Sequence, residues 1–322
     1  MYVVTGGAGF IGSAVIWKLN TMGVENILVV DNLGESEKWK NLVNRHYTDY
    51  IHKSEFLKFL AKGKFNKIDA IIHMGACSST TEKDADFLME NNFHYSVSLA
   101  KFAIKNSVRF INASSAATYG DGSAGFSDSV EIMKSLKPLN MYGYSKHLFD
   151  MWALRSNFLN QLASLKFFNV FGPNEYHKGN MCSLFYKGFI QARETGRIRL
   201  FKSYRKEYAD GDQRRDFVYI KDCVDLIWWL VENPSVNGVL NVGTGHDRSW
   251  NDLAKAVFSA MKLPLKVEYI DMPEQLRDRY QYFTKANVEK LSSTGWPVRF
   301  TNLEEAVNDY VVNYLQQKDI YL

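Results

Sequence analysis

Met1-Tyr-Val-Val-Thr-Gly-Gly-Ala-Gly-Phe-Ile-Gly12 opens the chain and decides its fold. An apolar run from Tyr2 to Val4 meets Gly6, Gly9 and Gly12, after which Ile11, Val15, Ile16 and Leu19 recur with helical spacing. That order predicts strand, tight turn, helix. Glycines suit the turn because it uses backbone angles that a side chain would forbid, and because a pyrophosphate must lie against bare peptide N–H groups at the helix start. The third glycine lets helix and strand pack closely. A second apolar run, Asn26 to Val30, ends in Asp31 at the distance where an acid of such a motif meets the adenine ribose.

Working outward, strands are expected at Tyr2–Val4, Ile27–Val30, Ala70–His73, Val108–Ala113 and Ala163–Phe168, with helical stretches between them. Alternation at this spacing predicts a parallel sheet covered on both faces. The fold class is α/β, a Rossmann-type doubly wound parallel sheet with a smaller C-terminal domain. The dinucleotide-binding part is expected over residues 1–170 and a mainly substrate-binding part over 171–322, with some of the chain after 215 returning to the sheet. A further strand is expected at Phe217–Ile220, and helices at Asp222–Glu232 and Trp250–Met261. Ligands of such sheets lie beyond the carboxyl ends of the strands. The loop Gly75-Ala-Cys-Ser-Ser-Thr-Thr81 follows one such end and is built of residues small enough to pass close to a cofactor.

Composition narrows the classes. With 322 residues, 46% of them hydrophobic, the chain can bury a large core. Its net charge of +4 comes from interspersed acids and bases and asks for neither nucleic acid nor a membrane surface. A strand beginning at residue 2 leaves no room for a signal peptide, and no apolar run reaches the length of a spanning helix, so a cytoplasmic protein is expected. Cys77, Cys182 and Cys223 have no metal-ligand or disulfide spacing.

Tyr142-Gly-Tyr-Ser-Lys146 places a phenol and an ammonium on one helical face. An ordinary tyrosine titrates near pH ~10, and a neighbouring cation favours its phenolate, which suits proton removal from a hydroxyl as hydride leaves the adjoining carbon. The alternative is a surface tyrosine beside a solvated lysine. Ser114 and Ser115, following the strand expected at Val108–Ala113, can present a hydroxyl toward that helix. The glycine triplet, Ser115, Tyr142 and Lys146 together resemble the extended short-chain dehydrogenase/reductase superfamily across essentially the whole chain. That resemblance implies that Tyr142 is the acid/base, that Ser115 hydrogen-bonds the reacting oxygen, and that Lys146 grips the nicotinamide ribose while lowering the phenol's pKa.

Within that superfamily, Cys77-Ser-Ser-Thr-Thr-Glu82, Ser114-Ser-Ala-Ala-Thr-Tyr-Gly120, Asn169-Val-Phe-Gly-Pro173, His177-Lys-Gly179 and Arg215-Asp-Phe-Val-Tyr219 resemble the ADP-L-glycero-D-manno-heptose 6-epimerase family. The resemblance implies that bound NADP transiently oxidises carbon six of a nucleotide sugar, for lipopolysaccharide inner-core synthesis. It implies Lys178 as a second acid/base, a residue that would otherwise read as a solvated loop lysine. Implied cofactor contacts are Gly6, Gly9, Phe10, Ile11, Gly12, Asp31, Asn32, Lys38, Lys53, Met74, Gly75, Ala76, Cys77, Ser78, Asn91, Tyr142, Lys146, Val170 and Lys178. Implied substrate contacts are Ser115, Asn169, Asn180, Lys187, Phe201, Arg215 and Tyr280, and the family implies a homo-oligomer. Arg215 could instead pair with Asp212 or Asp216, and Phe201 and Tyr280 could be packing residues. Asp31 by itself argues for NAD, whereas Lys38 and Lys53 match positions that contact NADP; NADP is the expectation and NAD the alternative. Met74, Asn180 and Lys187 stand where the family commonly has glutamate, serine and histidine, and residues 202–214 look longer than the usual loop. The rival enzyme reading is a UDP-hexose epimerase of the same superfamily. A dehydratase is disfavoured by Ala116 and Ala117, which stand where that chemistry uses an Asp-Glu pair. A non-catalytic dinucleotide sensor is the reading from another class.

Overall fold

The computed structural model describes residues 1–65, 67–277, 280–297 and 300–322. In chain order the strands are β1 (Tyr2–Thr5), β2 (Ile27–Asp31), β3 (Asp49–His52), β4 (Ala70–His73), β5 (Arg109–Ser115), β6 (Ala163–Phe167), β7 (Asn169–Phe171), β8 (Ile198–Phe201), β9 (Arg214–Tyr219), β10 (Gly238–Val242), β11 (Asp247–Ser249) and β12 (Val267–Ile270). Seven of them form one sheet in the order β10-β6-β5-β4-β1-β2-β3. Every pairing in it is parallel, with Tyr2 aligned to Ile27 on one side and to Ala70 on the other. Strand order reverses between β1 and β4, which opens the crevice where ligands of doubly wound sheets bind.

The strands read as unbroken apolar runs because both faces are covered. Val3, Leu28, Val30, Ile71 and Phe110 enter one core, and Val4, Ile27, Val29, Ile72 and Ile111 enter the other. Adjacent residues of a strand point to opposite faces, so the alternation is between two hydrophobic layers. The helix Phe10–Thr21 lies against the helix Ile220–Glu232, with Lys18 and Asp225 paired at 2.7 Å at their margin.

Three features depart from the expected pattern. β3 was not legible, because it is the edge strand of the sheet, with Asp49 and His52 exposed and Ile51 its single buried residue. The strand expected at Ala163–Phe168 is β6, one residue shorter, and an unexpected strand follows it: Phe168 donates its N–H to Val242, and β7 joins a separate three-stranded sheet, β11-β9-β7. This change of sheet brings Asn169 and Val170 to the wall of the crevice. β5 runs two residues beyond the expected Ala113, so that Ser114 and Ser115 end the strand. β10, from the chain after residue 215, returns to the large sheet beside β6, while β8 and β12 make a two-stranded parallel pair. Among the described residues, no helix is long and apolar enough to cross a membrane.

Candidate active site

The glycine turn is built by close approach of backbone to backbone. A Cβ on Gly6, where φ is +66°, would stand 2.5 Å from the Cα of Gly75, the residue after β4 and Met74. A Cβ on Gly12 would stand 2.1 Å from the carbonyl oxygen of Gly6. Gly9 caps the helix Phe10–Thr21 without a side-chain hydrogen bond, and its first turn holds no acid. The helix start therefore faces the crevice with nothing but backbone, as an anionic pyrophosphate requires. Below it, buried Asp31 accepts from the Ala8 N–H at 2.8 Å and from the Asn32 N–H at 2.7 Å, and pairs with Lys38 at 2.7 Å. The carboxylate thus braces the turn. Lys53 donates to Asn91, and burial pulls its pKa down against the pull of Asp31.

From this turn a cleft of about 830 Å³ runs across the carboxyl ends of the strands. It is lined by Gly6, Gly9, Phe10, Ile11, Gly12, Asp31, Lys38, Met74, Gly75, Ala76, Cys77, Ser78, Ser115, Tyr142, Lys146, Asn169, Val170 and Lys178 among others. The helix Met141–Arg155 carries Tyr142 and Lys146, capped by the Asn140 side chain on the Gly143 N–H at 2.8 Å. Gly143 is needed there, since a Cβ would lie 2.6 Å from the Ala117 carbonyl. Burial raises the pKa of the Tyr142 phenol above the ordinary value, and the nearby Ser115 side chain opposes the rise. Lys146, buried, donates to the Ala113 carbonyl at 2.7 Å and is lowered by burial to about 8. In this arrangement the ammonium is bonded to the strand end and not to the phenol.

Lys178 lines the same cleft. Its loop closes around buried Glu175, which accepts from the Ser183 hydroxyl at 2.7 Å and the Tyr310 hydroxyl at 3.1 Å. The Lys178 ammonium stands 5.4 Å above the Phe10 ring, and burial lowers its pKa against the opposing Glu175 charge. His177 is held down to about 4 by burial and by Lys178 and Lys38, so it is neutral.

Asn32, Lys53, Asn91, Asn180, Lys187, Phe201, Arg215 and Tyr280 do not line this cleft. Lys187 donates to the Asn180 carbonyl at 2.6 Å, and Phe201 packs edge-on to Tyr280 with ring centres 6.2 Å apart. Arg215 pairs with neither acid open to it from sequence. Asp212 faces Arg214 at 3.8 Å, and Asp216 is consumed by the N–H groups of Thr244, Gly245 and Ala286. Buried Arg215 instead donates to the carbonyls of Arg214 and Gln281 and lies between Trp250 and Tyr280, 5.7 and 5.3 Å from their ring centres.

Sequence reasoning missed Asn92. Its side chain grips Cys77 through both backbone groups at 2.9 Å and donates to the Ser145 hydroxyl at 3.1 Å, tying the cofactor-side loop to the helix of Tyr142. A π-helical segment, Met89–His94, turns it inward; an asparagine pair inside an otherwise amphipathic stretch was the only sign. Trp250, Gln281 and Thr284 also line the cleft and carried no local signal.

Known proteins resemble the chain over its whole length. Residues 2–243 match the NAD dependent epimerase/dehydratase family. The chain is 61% identical over 323 residues, spanning all of both chains, to an ADP-L-glycero-D-manno-heptose-6-epimerase of Nitratidesulfovibrio vulgaris strain DP4. It is 48% identical over 332 residues, again with full coverage of both, to the protein of that name from Fusobacterium nucleatum subsp. nucleatum. The crystal structure of the Helicobacter pylori ADP-L-glycero-D-manno-heptose-6-epimerase superposes with a TM-score of 0.82 at 27% identity, covering 97% of this chain and 95% of that one. The UDP-glucose 4-epimerase of Thermus thermophilus, solved with NAD, shares the fold at a TM-score of 0.75 and 22% identity, covering 97% of each chain. A glycine turn at the strand-order reversal, a tyrosine, serine and lysine converging beside it, and these full-length likenesses lead to one assignment: the chain belongs to the NAD dependent epimerase/dehydratase family, among its ADP-L-glycero-D-manno-heptose-6-epimerases.

Proposed function

We propose that this protein inverts carbon six of ADP-D-glycero-D-manno-heptose to give the L-glycero epimer, a precursor of lipopolysaccharide inner core, using tightly held NADP. The observation that carries the reading is that Tyr142, Ser115 and Lys178, from three separate segments, line one cleft. Inversion presents the sugar in two orientations, and each needs an acid/base near its oxygen. A bound nicotinamide dinucleotide supplies the hydride acceptor that a non-acidified carbinol carbon needs. Tyr142 exchanges the hydroxyl proton in one orientation while Ser115 steadies the oxygen. Lys178, its ammonium destabilised by burial, does so in the other.

The residues fit such a cofactor. The glycine turn would seat the pyrophosphate, Lys146 the nicotinamide ribose, and Lys38 the far ribose, with Lys53 adding positive charge from outside the cleft lining. At that end two ammonium groups face one carboxylate, and Asp31 is already engaged by Ala8, Asn32 and Lys38. That balance supports NADP over NAD, since a 2′-phosphate finds a cation and not a free acceptor. Arg215 stands just behind the cleft lining, against Trp250 and Gln281, with no carboxylate partner among the described residues, and would take the substrate's diphosphate once its bond to the Gln281 carbonyl is exchanged for a phosphate oxygen.

The test is to incubate purified protein with ADP-D-glycero-D-manno-heptose without added reductant, beside UDP-glucose as control, and to follow both epimers by proton NMR. Interconversion of the heptose without net NADPH, and with no solvent deuterium at carbon six in heavy water, is expected. Turnover of UDP-glucose alone, or deuterium at that carbon, refutes the proposal. Cofactor released by denaturation and assayed enzymatically distinguishes NADP from NAD. A cytoplasmic homo-oligomer is the accompanying expectation, read by cell fractionation and light scattering.

A further inference from the structure

Beneath the catalytic helix lies a charged group that the reaction as described does not use. Asp150 follows Lys146 by four residues and so shares its face of the helix. It is wholly buried, and both of its oxygens are taken by serines of the central sheet, Ser114 of β5 at 2.7 Å and Ser164 of β6 at 2.6 Å. Two adjacent residues at the end of β5 are therefore held by two residues of one helical turn: the Ala113 carbonyl by Lys146 and the Ser114 hydroxyl by Asp150. The next residue is Ser115.

We propose that Asp150 is a positioning residue for the reaction, its carboxylate serving as the counter-charge that keeps the Lys146 ammonium ionised in a dry site and, through Ser114, setting the strand end that presents Ser115. A buried ammonium with one carbonyl partner needs a nearby negative charge to stay charged. The carboxylate's serine bonds locate that charge without neutralising it. A second cation competes for it: Lys166 of β6 is also wholly buried, stands 4.0 Å from Asp150 and 4.3 Å above the Tyr119 ring, and has no hydrogen-bond partner among the described residues. Lys166 in turn feels Asp128 and Lys290. The other titratable groups facing this cluster are Tyr142 and His147 on the same helix, His73 on β4 and Tyr119 just after β5; burial holds both histidines toward the neutral form and the Tyr119 phenol protonated.

Burial draws Lys146 down to about 8 while Asp150 acts to raise it. A group required in its protonated form fails as pH rises through its pKa. Removing the negative charge lowers that pKa, so the alkaline limb of turnover moves to lower pH.

The inference rests on the proposed role of Lys146, and the test separates the two. The kcat and KM of wild type, Asp150→Asn, Asp150→Glu and Lys146→Met are measured from pH 6 to 10, with folding checked by circular dichroism. In Asp150→Asn the alkaline limb is expected to move down by about one pH unit or more, a loss of roughly tenfold in kcat on that limb, with KM little changed. In Asp150→Glu, which keeps the charge and disturbs the packing, the limb is expected at the wild-type pH whatever the height of the profile. An Asp150→Asn profile that superimposes on the wild type's, at equal or uniformly lower height, overturns the proposal. Should the Asn variant not fold, a displaced limb in Asp150→Glu overturns it and an undisplaced one with lowered kcat supports it. Full turnover in Lys146→Met removes the role of Lys146 itself, and the inference with it, independently of the Asp150 profiles.

Discussion

Gly12→Ala and Gly9→Ala, three residues apart in one turn, should fail in different ways. At Gly12 the added methyl carbon would sit 2.1 Å from the Gly6 carbonyl oxygen and 2.7 Å from its carbon, whereas ordinary contact begins at 3.4 Å, a deficit of about 1.3 Å. Both obstructing atoms are backbone, so the helix Phe10–Thr21 must back away from β1 and loosen the core contacts of Ala14, Val15 and Ile16. Overpacking of this kind costs about 3 kcal/mol, which at the size of this chain lowers the melting temperature by roughly 4–5 °C. At Gly9 φ is −74° and the nearest atom to the new methyl is 3.1 Å away, so the backbone accepts alanine with a shift of a few tenths of an ångström. Gly9 lines the cleft, however, and its methyl enters the space a pyrophosphate would occupy. Gly9→Ala is therefore expected to melt within about 2 °C of the wild type, a cost under ~1 kcal/mol, and to lose most of its bound dinucleotide. Differential scanning calorimetry of cofactor-stripped protein gives the first number, and dinucleotide released per chain gives the second. A Gly12→Ala protein that melts with the wild type, or a Gly9→Ala protein that retains full cofactor, refutes this account of the turn.

Four other outcomes are expected. Tyr142→Phe removes only the hydroxyl that faces Ser115 and should lower kcat by about 10²–10⁴ with cofactor content unchanged; turnover within threefold of wild type would remove the phenol from the chemistry. Lys178→Met should impair epimerisation while leaving dinucleotide binding intact, and loss of the dinucleotide would show that the lysine holds cofactor instead of moving protons. Lys38→Met frees Asp31 from its cation and should reduce the preference for NADP over NAD by roughly tenfold, as expected for about 1.4 kcal/mol of lost charge pairing; an unchanged ratio in equilibrium binding argues against the lysine as a phosphate reader. His73, buried between Thr5 and Ser96, is held down to about 3 against an ordinary 6.5. Between those values the unfolded chain binds the extra proton, so wild-type stability relative to His73→Gln should fall as pH drops below 6.5; a pH-independent difference in urea unfolding between pH 7 and 5 would contradict it.

Much of the site was readable from local sequence because local geometry decides it. Glycines at 6, 9 and 12 serve a turn only a few residues long, and Tyr142 and Lys146 share a face wherever residues 141–155 are helical. Alternating apolar runs were enough for a doubly wound sheet, since strands buried on both sides have no choice of polarity. β3 escaped because an edge strand keeps a polar face, and the change of sheet at Phe168 escaped because a single residue makes it.

What only the tertiary structure decided are the relations between distant segments. Asp31 reads as a free acceptor until Ala8, Asn32 and Lys38 are seen to occupy it. Arg215 has two acids beside it in sequence and bonds to neither, because Asp216 is spent on backbone N–H groups some thirty to seventy residues away. Asn92 and Asp150 look like ordinary helical polar residues, and burial alone makes their partners obligatory. Covalent spacing fixes what a few consecutive residues present to one side. Which buried charge neutralises which depends on folding having excluded water, and no run of letters records that.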